Sequence, residues 1–154
     1  MIQLKIVLFQ LLLIIACASS DTKTISQNRQ ADVTRVTASG SENNYSFSVT
    51  IASPDTGCDQ YADWWEVVSE EGELIYRRIL LHSHVNEQPF KRSGGSVTVA
   101  KDQTVWVRAH MNNTGYGGVV MKGTVEDGFK VADFPDTLGV NLDKVEPLPG
   151  DCNF

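Results

Sequence analysis

The chain has 154 residues, of which 19 are acidic and 13 are basic, so its formal net charge is −6. This length is on the scale of one ordinary domain. The surplus of acidic residues argues against a nucleic-acid partner, because phosphate backbones are bound by clustered lysine and arginine.

The first residues have the pattern of an export signal. Lys5 is followed by an apolar run, Ile6 to Ala16, in which Gln10 is the one polar residue, and no acidic residue occurs before Asp21. Such a run is too short for a permanent membrane-spanning helix but suits a cleaved signal peptide. We therefore assign residues 1–16 to a signal peptide and exclude them from the fold.

Two cleavage sites compete at the end of this run. Ile14-Ile15-Ala16-Cys17 resembles the bacterial lipobox, and the resemblance implies that Cys17 becomes the acylated first residue. The protein would then be an exported lipoprotein of the cell envelope, periplasmic or in the outer membrane, and bound to the membrane by its lipid. Alternatively, Ala16-Cys17-Ala18 has the form of an ordinary signal peptidase site, which implies simple secretion.

The other two cysteines, Cys58 and Cys152, then form an even pair. Exported domains meet an oxidising compartment, where such a pair normally closes into a disulfide. Closing so long a loop stabilises by roughly 4 kcal/mol in the chain-entropy model. Metal binding or free thiols remain alternatives, although neither cysteine has a cysteine or histidine nearby in sequence.

The mature chain divides into a tether and a domain. Residues 17–31 are polar and read as a flexible tether, and residues 32–154 as a single domain. Within the domain, short alternating runs are separated by turn signals, which favours an immunoglobulin-like antiparallel β-sandwich of about seven strands. The predicted strands are Val33–Ala38, Tyr45–Ala52, Trp64–Ser69, Leu74–His82, Ser96–Val99, Thr104–Met111 and Gly118–Val125.

After Glu126 the strand pattern fades and prolines become frequent. We expect an extended C-terminal tail laid over the sandwich, with Cys152 holding it to the loop that contains Cys58. Trp64 and Trp65 must point to opposite faces of their strand. One of them fills the core, and packing under the tail is favoured for the other over a role in a binding surface.

Strand direction predicts where chemistry can gather. If consecutive strands are antiparallel, the loop at Ser53–Asp63, the end of the fourth strand and the end of the sixth all lie at one rim of the sandwich. All three histidines, His82, His84 and His110, then converge there.

This convergence suggests a metal site. In His82-Ser83-His84, two imidazoles would share one face of an extended chain. His110 or Glu87 could complete the ligand set, which would suit zinc or copper. The alternative is that these histidines hydrogen-bond to backbone or to acids such as Glu66 and Glu87.

A His-x-His on a β-sandwich is also similar to the copper/zinc superoxide dismutases. The similarity is confined to His82, Ser83, His84 and Val85, and three histidines cannot supply a two-metal site. The dismutase activity is therefore not carried over.

The same rim could bind a small polar ligand. Gly115-Tyr116-Gly117-Gly118 would let backbone approach a partner closely. The competing interpretation of the glycines is that they only form the turn. For the arginines, Arg77 among them, it is that they pair with acidic residues on the surface. The candidate ligand-binding residues are Asp59, Tyr61, Arg78, Arg108, Asn112 and Tyr116.

Three functions remain open. The first is a noncatalytic binding module for a metal or a small polar ligand, and the second is a structural or protein-interaction domain. The third is a metal-dependent enzyme with His82, His84 and His110 as ligands and Glu87 as general base. No nucleophile motif or phosphate-binding loop is present in the sequence.

Overall fold

The computed structural model describes residues 30–153, which form two antiparallel sheets packed against each other. The three-stranded sheet has the order β1-β2-β5, and the five-stranded sheet has the order β4-β3-β6-β7-β8. The all-β sandwich predicted from the sequence is confirmed. The strands are β1 Asp32–Ser41, β2 Asn44–Ala52, β3 Ala62–Ser69, β4 Leu74–Ile79, β5 Phe90–Val97, β6 Val105–Met111, β7 Val120–Thr124 and β8 Gly128–Ala132.

Three predicted features lie outside the described residues: the signal peptide at 1–16, the acylated Cys17, and the tether up to residue 29. Among residues 30–153, no helix has both the length and the apolarity needed to cross a membrane.

The core lies between the inner faces of the two sheets. On β2, Tyr45, Phe47, Val49 and Ile51 are buried while the residues between them are not, as period-two alternation requires. Trp65 of β3 supplies the largest fully buried side chain of the opposite sheet. It is therefore the inward-facing tryptophan of the pair.

Two strand predictions were wrong, and one strand was missed. β4 ends at Ile79, so His82 and His84 lie in a loop and not on one face of a strand. β5 begins at Phe90, six residues before the prediction, and β8 was missed. β5 has few apolar residues because it is an edge strand that pairs only with β2, and β8 is likewise an edge strand.

Loops 53–61, 80–89 and 112–119 meet at one end of the sandwich, which we call the rim. Asp55 joins the first two loops, since its carboxylate accepts hydrogen bonds from the backbone N–H groups of Ala62 (3.0 Å) and His84 (2.8 Å). Asn112 joins the first and third by donating from its side chain to the Cys58 carbonyl (2.8 Å) and from its backbone to that of Tyr61 (3.1 Å). The predicted convergence of these loops is confirmed.

The C-terminal segment crosses the outer face of the five-stranded sheet, as expected of the tail. A short 3₁₀ helix, Leu142–Lys144, buries Leu142 against Val68, Trp106 and Val120 on that face. The segment ends at the Cys58–Cys152 disulfide, whose Cα atoms are 5.6 Å apart. The tail is therefore packed on the sheet and covalently held at the rim.

We predict that replacing both Cys58 and Cys152 by serine lowers the free energy of unfolding by about 4 kcal/mol, because the unfolded chain regains the entropy of a loop of nearly one hundred residues. Urea unfolding of the variant and of the oxidised parent measures the change. Reducing agent should shift the parent toward the variant and leave the variant unaffected. Equal midpoints for the two oxidised proteins would contradict the prediction.

Candidate functional site

The outer face of the five-stranded sheet holds a buried carboxylate between two arginines. Glu66 of β3 lies directly opposite Arg77 of β4 and Arg108 of β6 in the strand register. Its side chain is fully buried and receives Arg77 at 2.5 Å on one oxygen and Arg108 at 2.8 Å on the other. Because a lone buried charge is costly, each group depends on the other two. We call these three residues the charge triad.

Arg77 connects the charge triad to the tail. Besides bonding Glu66, its guanidinium donates to the backbone carbonyls of Leu142 (2.6 Å), Val145 (2.5 Å) and Pro147 (3.1 Å). It also lies 4.5 Å from the ring centroid of Trp64. The surface pairing considered for Arg77 is therefore wrong, because its carboxylate partner is in the interior.

Arg108 lies between two aromatic rings. Its guanidinium carbon is 3.6 Å from the ring centroid of Tyr116 and 4.4 Å from that of Phe134. Nε donates to Glu66, and Nη2 donates to the Gly139 carbonyl at 3.3 Å. Its third nitrogen, Nη1, makes no hydrogen bond to any atom of residues 30–153. This side chain is rigidly held and has one donor group to spare.

Arg108 and Tyr116 line a cavity of about 620 Å³ between the sheet, the loop that precedes β7 and the tail. Apolar side chains form much of its wall, and three of them, Val119, Val131 and Val140, are exposed to solvent. Three carboxylates also line the cavity, those of Asp133, Asp136 and Asp143. The volume lies in the range of ordinary small-molecule sites.

His110 belongs to the same outer face but points toward a carboxylate. Its ring stacks on Trp64 with centroids 3.6 Å apart, and its Nδ1 is 2.7 Å from Oδ1 of Asp63. Burial raises the pKa of Asp63, against the opposing effect of the His110 bond. Trp64, whose Nε1 donates to the Tyr116 hydroxyl at 3.3 Å, is the outward tryptophan. Trp64 is buried, so the packing role favoured for it over a binding surface is confirmed, but its ring partners are His110 and Tyr116 and not residues of the tail.

The other two histidines lie together at the rim. The rings of His82 and His84 are 4.7 Å apart, with His82 exposed and His84 buried in a stack on Phe90. Both ring nitrogens of His84 lack a hydrogen-bond partner, and burial lowers its pKa. Glu87 is exposed and bonded to Arg92. Within residues 30–153 no three potential ligands form a metal-binding group. The metal site of His82, His84, Glu87 and His110 stays a prediction.

The remaining predicted ligand residues are not in the cavity. Asn112 builds the rim, and Tyr61 is buried beneath it with a pKa raised chiefly by burial. Asp59 and Arg78 are exposed. Of the six ligand candidates, Arg108 and Tyr116 alone line the cavity.

Sequence reasoning missed Glu66 and Phe134 as parts of this site. A signal for Glu66 was present, because it is the one charged residue of the predicted strand Trp64–Ser69 and its neighbours in that strand, Trp65 and Val67, are apolar. Phe134 offered no comparable signal, since its role depends on how the tail folds back over the sheet.

Comparison with known proteins shows similarity to a protein named as a lipoprotein. A protein of Halomicrobium mukohataei named "Putative lipoprotein" is 40% identical over 116 residues, which cover 73% of this chain and 57% of the relative. The chain thus spans somewhat more than half the length of that relative. No family model matches the chain, and no solved structure matches it.

We predict that Glu66→Gln lowers the free energy of unfolding by about 3–5 kcal/mol, because it leaves two buried guanidinium groups without a counter-charge. The matched control is Glu87→Gln, which also separates a carboxylate from an arginine, but in water, where such pairs contribute little. Urea unfolding of both variants provides the comparison. Similar losses in the two would show that the triad has no special role.

Proposed function

We propose that this protein is an exported, lipid-anchored binding module without catalytic activity, whose ligand occupies the cavity beside Arg108. Support for export and anchoring comes from the leader, from the lipobox-like position of Cys17, from the Cys58–Cys152 disulfide and from the name of the relative. The observation that carries the binding role is the stacked guanidinium of Arg108, which lines the cavity with Nη1 unbonded.

Arg108 is suited to binding because it is already in place before a ligand arrives. The rings of Tyr116 and Phe134 fix its plane, and Glu66 fixes its Nε. A ligand acceptor therefore meets a donor whose side-chain entropy has already been lost in folding. The charge triad also carries two positive charges and one negative charge, so one positive charge has no carboxylate partner within the triad. The tail carbonyls compensate part of this charge, and an acceptor oxygen of a ligand in the cavity would compensate more of it.

The cavity wall indicates the chemistry of the ligand. Val119, Val131 and Val140 would cover an apolar body, while Nη1 of Arg108 would bind a carboxylate or carbonyl oxygen. An ammonium group on the same molecule would find acceptors in Asp133 and Asp136. The ligand class is therefore a small molecule with an apolar side group, an acceptor oxygen and an amino group, as in apolar amino acids and their derivatives.

We expect leucine and leucinamide to bind the full-length lipidated protein in nanodiscs, and N-acetylleucine to bind more weakly because it lacks the ammonium group. Saturation-transfer NMR and calorimetry measure binding. Val131→Arg, which fills the mouth of the cavity, should abolish it. Val85→Arg is the matched control, since Val85 is also an exposed valine but lies in loop 80–89, away from the cavity.

No binding of any of the three compounds would overturn the proposed ligand class. Equal binding by the Val131→Arg and Val85→Arg proteins would overturn the cavity as the site. Binding of N-acetylleucine as tight as that of leucine would remove the role of the aspartates and leave that of Arg108.

One observation favours a metal as a second candidate ligand. His84 is buried with both imidazole nitrogens unbonded, and the exposed His82 ring lies beside it. The lowered pKa of His84 keeps its imidazole neutral, which is the form that binds zinc or copper. We propose that His82 and His84 are the protein ligands of such an ion and that water completes its coordination.

We expect the full-length protein, purified without a histidine tag and loaded with zinc or copper, to hold close to one ion per chain, and His82→Ala to lose it. His82 is the residue to change because it is exposed, so the variant keeps the buried stack of His84 on Phe90. His110→Ala is the control, since His110 pairs with Asp63. Elemental analysis decides: absence of metal from the parent, or its retention in His82→Ala, would overturn this candidate.

A further inference from the structure

The chain enters the sandwich at the rim. Gln30, the first described residue, receives a hydrogen bond from Thr114 at 3.4 Å and packs on Gly117 in the loop that follows β6. The next residues pair with Val119, which donates from its backbone to the Asp32 carboxylate at 2.7 Å. Whatever precedes Gln30 is therefore attached at this end of the molecule.

The distance from Cys17 to the rim is bounded by covalent geometry. Residues 18–29 separate Cys17 from Gln30, and at 3.3–3.6 Å per residue they reach at most about 45 Å. For the flexible tether predicted from the composition of residues 17–31, the average distance from end to end is only about 20 Å. Because the strands are up to 10 residues long, the opposite end of the sandwich lies roughly 30 Å beyond the rim.

The two ends of the sandwich differ in surface chemistry. The rim loops expose three large apolar side chains, those of Leu81 (55%), Val85 (47%) and Val119 (39%). None of the large apolar side chains exposed within residues 30–153 belongs to the turns at the other end, 42–43, 70–73, 98–104 and 125–127.

Charge separates the ends in the same sense. The rim loops carry three carboxylates: Asp55 is buried in hydrogen bonds, Glu87 is bonded to Arg92, and Asp59 is exposed. The four opposite turns carry seven carboxylates and one ammonium group, that of Lys101. Two of these carboxylates are in ion pairs, Glu126 with Lys101 and Glu70 with Lys122 of β7. The carboxylates are those of Glu42, Glu70, Glu71, Glu73, Asp102, Glu126 and Asp127.

We propose that the rim lies against the bilayer that holds the lipid anchor, with Leu81 and Val85 at the headgroup level and the acidic turns directed away. This inference rests on the proposed anchoring through Cys17. The tether brings the rim to the membrane, exposed apolar side chains gain by burial in the interface, and carboxylates are repelled by anionic lipid. The ligand cavity, whose wall includes Gly117 and Val119, then lies at the membrane-proximal end.

Fluorescence energy transfer from single labelled positions to headgroup-labelled lipid tests the orientation. The lipidated full-length protein is placed in vesicles of phosphatidylcholine and phosphatidylglycerol, with the disulfide kept closed. The donor is attached at Asn86→Cys in a rim loop or at Asp102→Cys in an opposite turn; both positions are exposed. We expect a clearly larger loss of donor fluorescence at position 86 than at position 102.

Adding Leu81→Glu and Val85→Glu should reduce the loss at position 86 without releasing the protein from the vesicles. Equal losses at 86 and 102 in protein that co-floats with the vesicles would overturn the orientation and leave the lipid anchor intact. Failure of the protein to co-float would overturn the anchor, and the orientation with it.

Discussion

Glu66 is the residue on which the outer face of the five-stranded sheet depends. A carboxylate with no exposed surface is costly to bury without partners, and β4 and β6 supply one arginine each from directly opposite positions. Arg77 then has donors left over, and the tail carbonyls of Leu142, Val145 and Pro147 satisfy them. The tail is thus held by backbone polar groups that need partners of their own.

The same arrangement links stability to the candidate function. Glu66 and the two aromatic rings hold Arg108 in one orientation, and the tail held by Arg77 forms a wall of the cavity. A side chain fixed in this way contributes to the fold and remains available to a ligand through Nη1. The stability of the charge triad and the shape of the cavity are therefore not independent properties.

Much of the inner architecture could be predicted from sequence because it follows local rules. The alternation of Tyr45, Phe47, Val49 and Ile51 predicts β2, and counting strand directions brings the histidines to the rim. The edge strand β5 was misplaced and the edge strand β8 was missed because an edge strand needs little apolar patterning.

The site was harder to predict than the fold. Alternation places Glu66 outward, which normally means toward water, and only the long-range path of the tail makes that position buried. The pairing of His110 with Asp63 instead of with His84 is equally a matter of side-chain packing.

The tail has two kinds of attachment, and they act on different parts of it. The cavity wall at residues 133–143 is held by the bond from Arg108 to Gly139 and by the bonds from Arg77 to Leu142 and Val145. The disulfide at Cys152 lies nine residues past Asp143, beside the loop that contains Cys58. Because the charge triad fixes the wall locally, the disulfide contributes to the cavity mainly by limiting how far the end of the chain can move. The site thus depends more directly on buried charge than on the covalent link.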